Sequence, residues 1–484
     1  MKKFYILAAS ITTFIFADNQ TSTLSPVYLT WLPNFLIKIE KDTLELPIGI
    51  QSGAVGVSGN KWLFIGGRKN GLHGFNDDDF NFPANQQNDV LIVVDRDTNI
   101  VTTRTLIPGS VDISQELFDS LTVTNSQHYQ EGDFLYMVGG YGWDVAANDF
   151  ITQSLLTSIN VPNLIAWVES GTDSLMLNTI RQISDSTFQV AGGEMKKLPG
   201  NPTLLILGQN FTGAYRDSSN GVYTRQIRRF NINDDGTNLS ATILPSIPSV
   251  PDENYRRRDL NVASITRKIN GVLTHSFNAF SGVFTTTDGV WTVPINITAD
   301  GIPSMDDPAS PDTFKQGINI YASTTIGLFS EKNNDMNTII LGGLTFQYTD
   351  NGTIASDPGL PFTNQVAAIN LNENGEYKQY ILNSQFPTIQ STGTNPGKTL
   401  LFGAESLFIP DASVITYPNG VINSDKIIGQ STVVGYLVGG IMSTVPDTNT
   451  MAESAASPYI FKITIHPYAP LTKLVKALVD KYNS

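Results

Sequence analysis

Two glutamates and a run of arginines are the side chains of this chain best suited to chemistry. Glu194, in Gly192-Gly193-Glu194, and Glu405, in Gly403-Ala404-Glu405, end matching stretches of small residues. Brought together, two such carboxylates act as acid and base or hold a cation; apart, they are solvated or satisfy backbone amides. Arg256-Arg257-Arg258 is the one basic run. It suits a carboxylate such as an acidic sugar or a peptide end, with a solvated cluster balancing an acidic protein as the plainer reading. A third group lies in the stretch 68–88, with Arg68, His73, Phe75, Asp77, Asp78, Asp79, Phe80 and Phe82. Rings stack on sugars or peptides while carboxylates hydrogen-bond to hydroxyls, so this stretch is a candidate contact region, an ordinary solvated loop being the alternative. Comparable stretches carry Tyr141, Trp143 and Asp144; Tyr215, Arg216 and Asp217; and Phe346, Gln347 and Tyr348. No metal site is expected: the acidic run at 77–79 lacks EF-hand spacing, and His73, His128, His275 and His466 show no paired spacing. The chain has no cysteine, hence no disulfide, thiolate ligand or cysteine nucleophile. Neither a glycine-rich phosphate loop nor a serine elbow is present, and no cofactor is expected.

The elements that must position these residues repeat along the chain. An apolar strand ending in glycine recurs as WLFIGG at 62–67, LYMVGG at 135–140, LLILG at 204–208, IILGG at 339–343 and YLVGG at 436–440. Taking Gly66, Gly139, Gly208, Gly342 and Gly439 as markers, the steps are 73, 69, 134 and 97 residues. The 134-residue step is two units, which puts a degenerate marker near Ser276 in VLTHSF at 272–277; the last step holds an insertion, placed at about 410–431. An earlier strand precedes each marker across a turn such as Ser58-Gly59-Asn60, making a hairpin. A polar loop, a third strand (90–94, 155–159, 227–232, 290–295, 366–371, 459–465) and a fourth follow. Four antiparallel strands repeated six times predict an all-β propeller of six blades, with seven as the alternative. Thr43-Leu44-Glu45-Leu46 supplies the strand missing from the last unit and closes the ring, removing both sheet edges. In the column 14 residues before the marker stand Ser52, Asn125, Glu194 and Val262, with Glu405 in the sixth copy, and these are expected at a mouth of the central channel.

The glycine pairs Gly66-Gly67, Gly139-Gly140, Gly342-Gly343 and Gly439-Gly440, with Asn88-Asp89 opening a third strand, resemble the kelch-repeat family over roughly residues 43–466. The family's usual Arg and Trp positions are mostly missing. The resemblance implies a propeller whose glycines let neighbouring blades approach near the axis. It extends in fold to the galactose oxidases, whose cysteine-linked copper cofactor this cysteine-free chain cannot form. It also extends to exported sialic-acid mutarotases, which imply catalysis by acid, base and arginine, with Glu194, Glu405 and Arg257 as candidates.

The ends suggest export. Lys2-Lys3, an apolar run from Phe4 to Phe16 and Ala17 before a polar boundary read as a signal peptide over 1–17, followed by a lead-in segment over 18–42. No later stretch is long and apolar enough to span a bilayer. Past the propeller (43–466), the stretch 467–484 carries Leu471, Leu474, Val475, Leu478 and Val479 on one face, an amphipathic helix suited to docking on the propeller or a partner. A net charge of −14 argues against nucleic acid as a partner. The expected function is a periplasmic, surface or extracellular module binding a protein or glycan surface through channel-mouth loops; a carbohydrate-active enzyme and a structural surface protein are the alternatives.

Overall fold

Strands inside a blade carry apolar residues on both faces because other sheets stack on either side. Leu63, Phe64 and Ile65, and Leu91, Ile92, Val93 and Val94, are all buried in this way. In the computed structural model, residues 27–28 and 35–467 are described apart from 78–79, 217–220, 288, 351–352, 428–429 and 449. Six four-stranded antiparallel blades surround a central channel. Their inner strands are Ala54–Ser58, Gln127–Glu131, Glu194–Lys197, Asn261–Ile269, Thr325–Ser330 and Leu407–Pro410. The seven-blade alternative falls away.

Two repeat assignments are corrected. In blade 4 the second strand, Val272–Phe280, runs beyond Ser276, and the residues equivalent to the glycine pair are Ser281 and Gly282, with φ of 52° and 96°. The third strand there is Ile295–Ile297 rather than 290–295. In blade 3, Leu207 at φ 59° takes the first glycine's place ahead of Gly208 at φ 94°. The pair is left-handed in all six blades, so the repeat is one of backbone conformation, which glycine favours but does not monopolise.

The ring closes through Phe35–Glu45, which pairs antiparallel with Tyr459–Pro467 as the outer strand of blade 6. It begins well upstream of Thr43, because Phe35, Ile37 and Ile39 alternate inward with Leu36 and Lys38 facing out. The insertion lies between Leu407–Pro410 and Thr432–Val438 of blade 6, and its Ile422–Asn423 pairs in parallel with the inner strand of blade 5. Two short helices were not anticipated, α1 (Gln115–Leu121) and α2 (Val161–Ser170). Asn160 caps α2, left-handed Gly171 ends it, and its Val161, Leu164, Ile165 and Trp167 join the core shared by blades 1 and 2. Residues 1–17 and the helix expected at the C-terminus lie outside the described residues, except that Pro467 ends a strand. Among the described residues no helix is long and apolar enough to cross a membrane.

Candidate functional site at the closed end of the channel

One residue from each blade turns the chain into its inner strand through the left-handed region: Ser52, Asn125, Gly192, Asp259, Ala322 and Glu405, with φ between 48° and 68°. Each donates its N–H to the carbonyl of its counterpart in the preceding blade, and Ser52 closes the circle onto Glu405 at 3.3 Å. The other five bonds measure 2.7–3.1 Å. Five of the six members are not glycine, and such backbone costs about 1–2 kcal/mol per residue, the kind of strain that collects at functional sites.

The ring corrects the column read from the sequence. Ser52, Asn125 and Glu405 belong to it, whereas Glu194 and Val262 lie further along their inner strands, because the spacing from ring to pair is not fixed at 14 residues: it is 15 from Gly192 to Leu207 and 22 from Asp259 to Ser281, across the longer hairpin of blade 4. The second acid of the ring is Asp259, adjacent to the arginine run. Gly192 makes room for it: a Cβ there would sit 3.0 Å from Asp259 Oδ1.

A cavity of about 360 Å³ runs from this ring along the inner strands. Ser52, Asn125, Asp259 and Glu405 line its ring end, His128, Glu194 and Lys196 stand further along, and Asn419 and Gly420 of the insertion form part of its wall. Ser52 Oγ donates to Glu405 Oε2 at 2.6 Å. Burial, reinforced by the charges of Asp259 and Glu194, pushes the Glu405 carboxyl up to about 8 despite that hydrogen bond. Burial likewise raises Asp259, against the opposing pull of Arg258, whose Nε lies 3.5 Å from Asp259 Oδ2. Burial lowers His128, which feels Glu194 and Lys196, themselves an ion pair at 3.3 Å. The ring end therefore holds two carboxyl groups that resist ionisation, beside a hydroxyl and an amide. Among the described residues no three His, Asp or Glu side chains converge to hold a metal ion.

The loop side of the ring is roofed over. Leu72 packs with Tyr321, Ala322 and Ala404, and its N–H donates to Ser454 Oγ of blade 6 at 2.9 Å. His73 sits in a ring cluster with Phe75, Phe82 and Tyr215, and burial pushes it down to about 4. Arg68 is buried over Phe82 and donates to Asn70 and the Pro83 carbonyl. Arg258 is buried as well, donating to Gln209 Oε1 at 2.8 Å and to the Tyr215 hydroxyl at 3.3 Å. Trp143 packs edge-on against Phe150, and Asp144 accepts from Ala147 N–H and Gln153. Asp77 and Arg216 are exposed, Tyr348 lies on the separate hairpin of Gln347–Asp350 with Thr353–Ser356, and Asp79 lies outside the described residues. Arg68, His73 and Arg258 thus belong to the packed roof, and among the described residues none of the loop candidates lines the channel cavity.

The solvated reading of the arginine run is overturned for Arg257 and Arg258, which are buried, and Arg257 does not line the channel cavity. Arg257 is fully buried over Trp291, donating to the carbonyls of Ser281 and Val293 at 3.2 and 2.8 Å. It ties the turn after the second strand of blade 4 to the segment leading into the third. Arg257→Met keeps the stem's packing but strips those carbonyls of their donor, so equilibrium unfolding should show a loss of about 1–3 kcal/mol with ligand binding in the channel unchanged. A loss of binding at intact stability would return Arg257 to the site.

No protein-family model matches the sequence, and no curated protein does. Among solved structures, one titled "Structure of YjhT" superposes with a TM-score of 0.45 at 10% identity, covering 88% of this chain and 100% of that one.

Proposed function

We propose that this chain is an exported, kelch-type propeller that binds a small hydroxylated ligand, a single sugar unit of a glycan, at the ring end of its channel. The observation that carries the reading is the Asp259 and Glu405 pair beside Ser52 and Asn125 in a cavity of about 360 Å³, within the roughly 300–1,000 Å³ typical of ligand sites. A sugar hydroxyl both donates and accepts, so it pairs with a protonated Glu405 as donor and with Asn125 or Ser52 as either partner. The roofed loop side moves the binding surface from the loops to the channel. The Lys2-Lys3 start and the apolar run behind it support export, and the glycine pairs support the kelch relationship.

Turnover of the bound sugar is a second reading, favoured by the same pair, since two neighbouring carboxyl groups of raised proton affinity are suited to acid and base roles. A glycan-array screen of the purified protein beside an Asp259→Asn/Glu405→Gln double variant tests the binding. At least a tenfold loss in the variant, with the fold intact, is expected. Equal binding by both proteins, or none by either, sinks the proposal and favours a structural surface role. Any retained sugar should then be followed for chemical change.

A further inference from the structure

Blade 4 is built unevenly. Its inner hairpin pairs nine residues with nine, Asn261–Ile269 with Val272–Phe280, whereas its outer strands, Ile295–Ile297 and Pro303–Met305, have three each. The third strand reaches only Phe277, Asn278 and Ala279. It is diverted there because the chain turns at Thr298 to Gly301, where Arg229 of blade 3 holds the Asp300 carbonyl at 2.9 Å. Among the described residues, the second strand from Val272 to Ser276 therefore has no outer neighbour.

Pairing across the two-residue turn Asn270-Gly271 fixes which groups this leaves free. Hydrogen-bonded pairs alternate from Ile269 and Val272 onward, so Val272, Thr274 and Ser276 bond inward, while the N–H and C=O groups of Leu273 and His275 point to the empty side. An open edge of this kind is a template for an added strand. Beside it lies a cleft of about 820 Å³ between blades 4 and 5, lined on the strand by Thr274, Ser276 and Asn278. Its charge is uneven: Arg267, paired with Thr274, and Lys378 mark one end with Glu376 beside them, while Asp306 and Asp312, beyond the short outer strands, mark the other, where no cationic side chain lines the cleft. Arg267 gives one Nη to the carbonyls of Asn372 and Glu373, and its buried Nε has no hydrogen-bond partner.

We propose that this cleft binds an extended peptide of a partner protein as an extra strand of blade 4, with an acidic side chain at the Arg267 end and a basic one at the Asp306 end. Main-chain bonds to Leu273 and His275 supply affinity, and the unevenly charged walls set direction. The five residues from Val272 to Ser276 span ~17 Å, so the peptide core is about as long.

The test pans a phage-displayed random heptapeptide library on the full chain and carries selected peptides into amide hydrogen exchange. Enriched peptides should separate an acidic from a basic residue by an extended core, and should slow exchange of the Leu273 and His275 amides at least tenfold. Arg267→Glu, and separately His275→Pro, which removes an outward N–H, should each weaken binding at least tenfold in protein that still folds, whereas His275→Ala, which loses the ring's contact with Thr266 but keeps the N–H, should bind as the unsubstituted protein does. Asp259→Asn, in the channel, should leave peptide binding as it was. No enrichment, or unchanged binding to the folded proline variant, overturns the proposal. So does slow exchange of both amides in the protein alone, which would mean the edge is already covered, whether by a second copy or by residues preceding Val27, which pairs with Gln379 next to Lys378.

Discussion

Glu405→Gln should stabilise the protein in alkali and leave it unchanged in acid. The folded state holds this carboxyl at about 8, whereas a glutamate in the unfolded chain titrates near 4.5. A raised folded value means that the folded state binds the proton more tightly, so stability is full below about pH 4.5, falls as pH rises, and is lowest once pH passes about 8. Glutamine is neutral throughout, and its amide oxygen still accepts from Ser52. At pH 9 the variant should be more stable by on the order of 3 kcal/mol, less to the extent that channel water reaches the carboxyl, or about 3 °C for a chain of this size. At pH 4 the two should melt together. Thermal unfolding across this range checks it; parallel curves would mean that Glu405 ionises freely. Sugar binding by the unsubstituted protein should weaken through pH 8 as the donor proton is lost, and that of the variant should not.

The second large effect is expected far from any ligand. Gly139, the first glycine of blade 2, has φ 64°, and a Cβ there would stand 1.9 Å from the Val190 carbonyl oxygen on the segment leading into blade 3. Its neighbour Gly140 donates its N–H to that same oxygen at 3.0 Å, so the two backbones are held together and neither can yield. Gly139→Ala should cost more than about 4 kcal/mol, since contact with fixed backbone adds to the left-handed penalty. Gly59, at φ 58° in a turn with nothing within 4 Å of its would-be Cβ, has the conformation without the crowding, and Gly59→Ala should cost about 1 kcal/mol. Denaturant unfolding separates the two. Similar costs would mean that the glycine pairs serve backbone conformation alone and not the approach of neighbouring blades.

The same crowding explains what was legible in the chain. Four of the six blades keep glycine at both positions of the pair, and the strands leading to them are continuous apolar runs, so hairpins, repeat and the place of the insertion follow from local pattern. Reading failed where a left-handed residue was not glycine. Leu207 and Ser281 adopt the conformation with ordinary side chains, so the markers slipped, and the longer hairpin of blade 4 breaks the 14-residue spacing, so the column put Glu194 in the place of Gly192 and Val262 in the place of Asp259. Type likewise misled at the arginine run. Three charged residues in a row suggest solvent, yet carbonyls left over at the turns of blade 4 and the faces of Trp291 and Tyr223 draw Arg257 and Arg256 inward.

By itself, the sequence determined a six-unit propeller of glycine-ended hairpins closed by an N-terminal strand, because burial on both faces of a strand and positive φ leave local traces in residue type. Only the tertiary structure decided which residues meet on the axis, which end of the channel is roofed and which strand edge is left open. Those depend on hydrogen bonds between residues 63–83 apart around the ring, and 353 apart where it closes, and on where one blade's turn is held by its neighbour, and neither leaves a mark in any short stretch of chain.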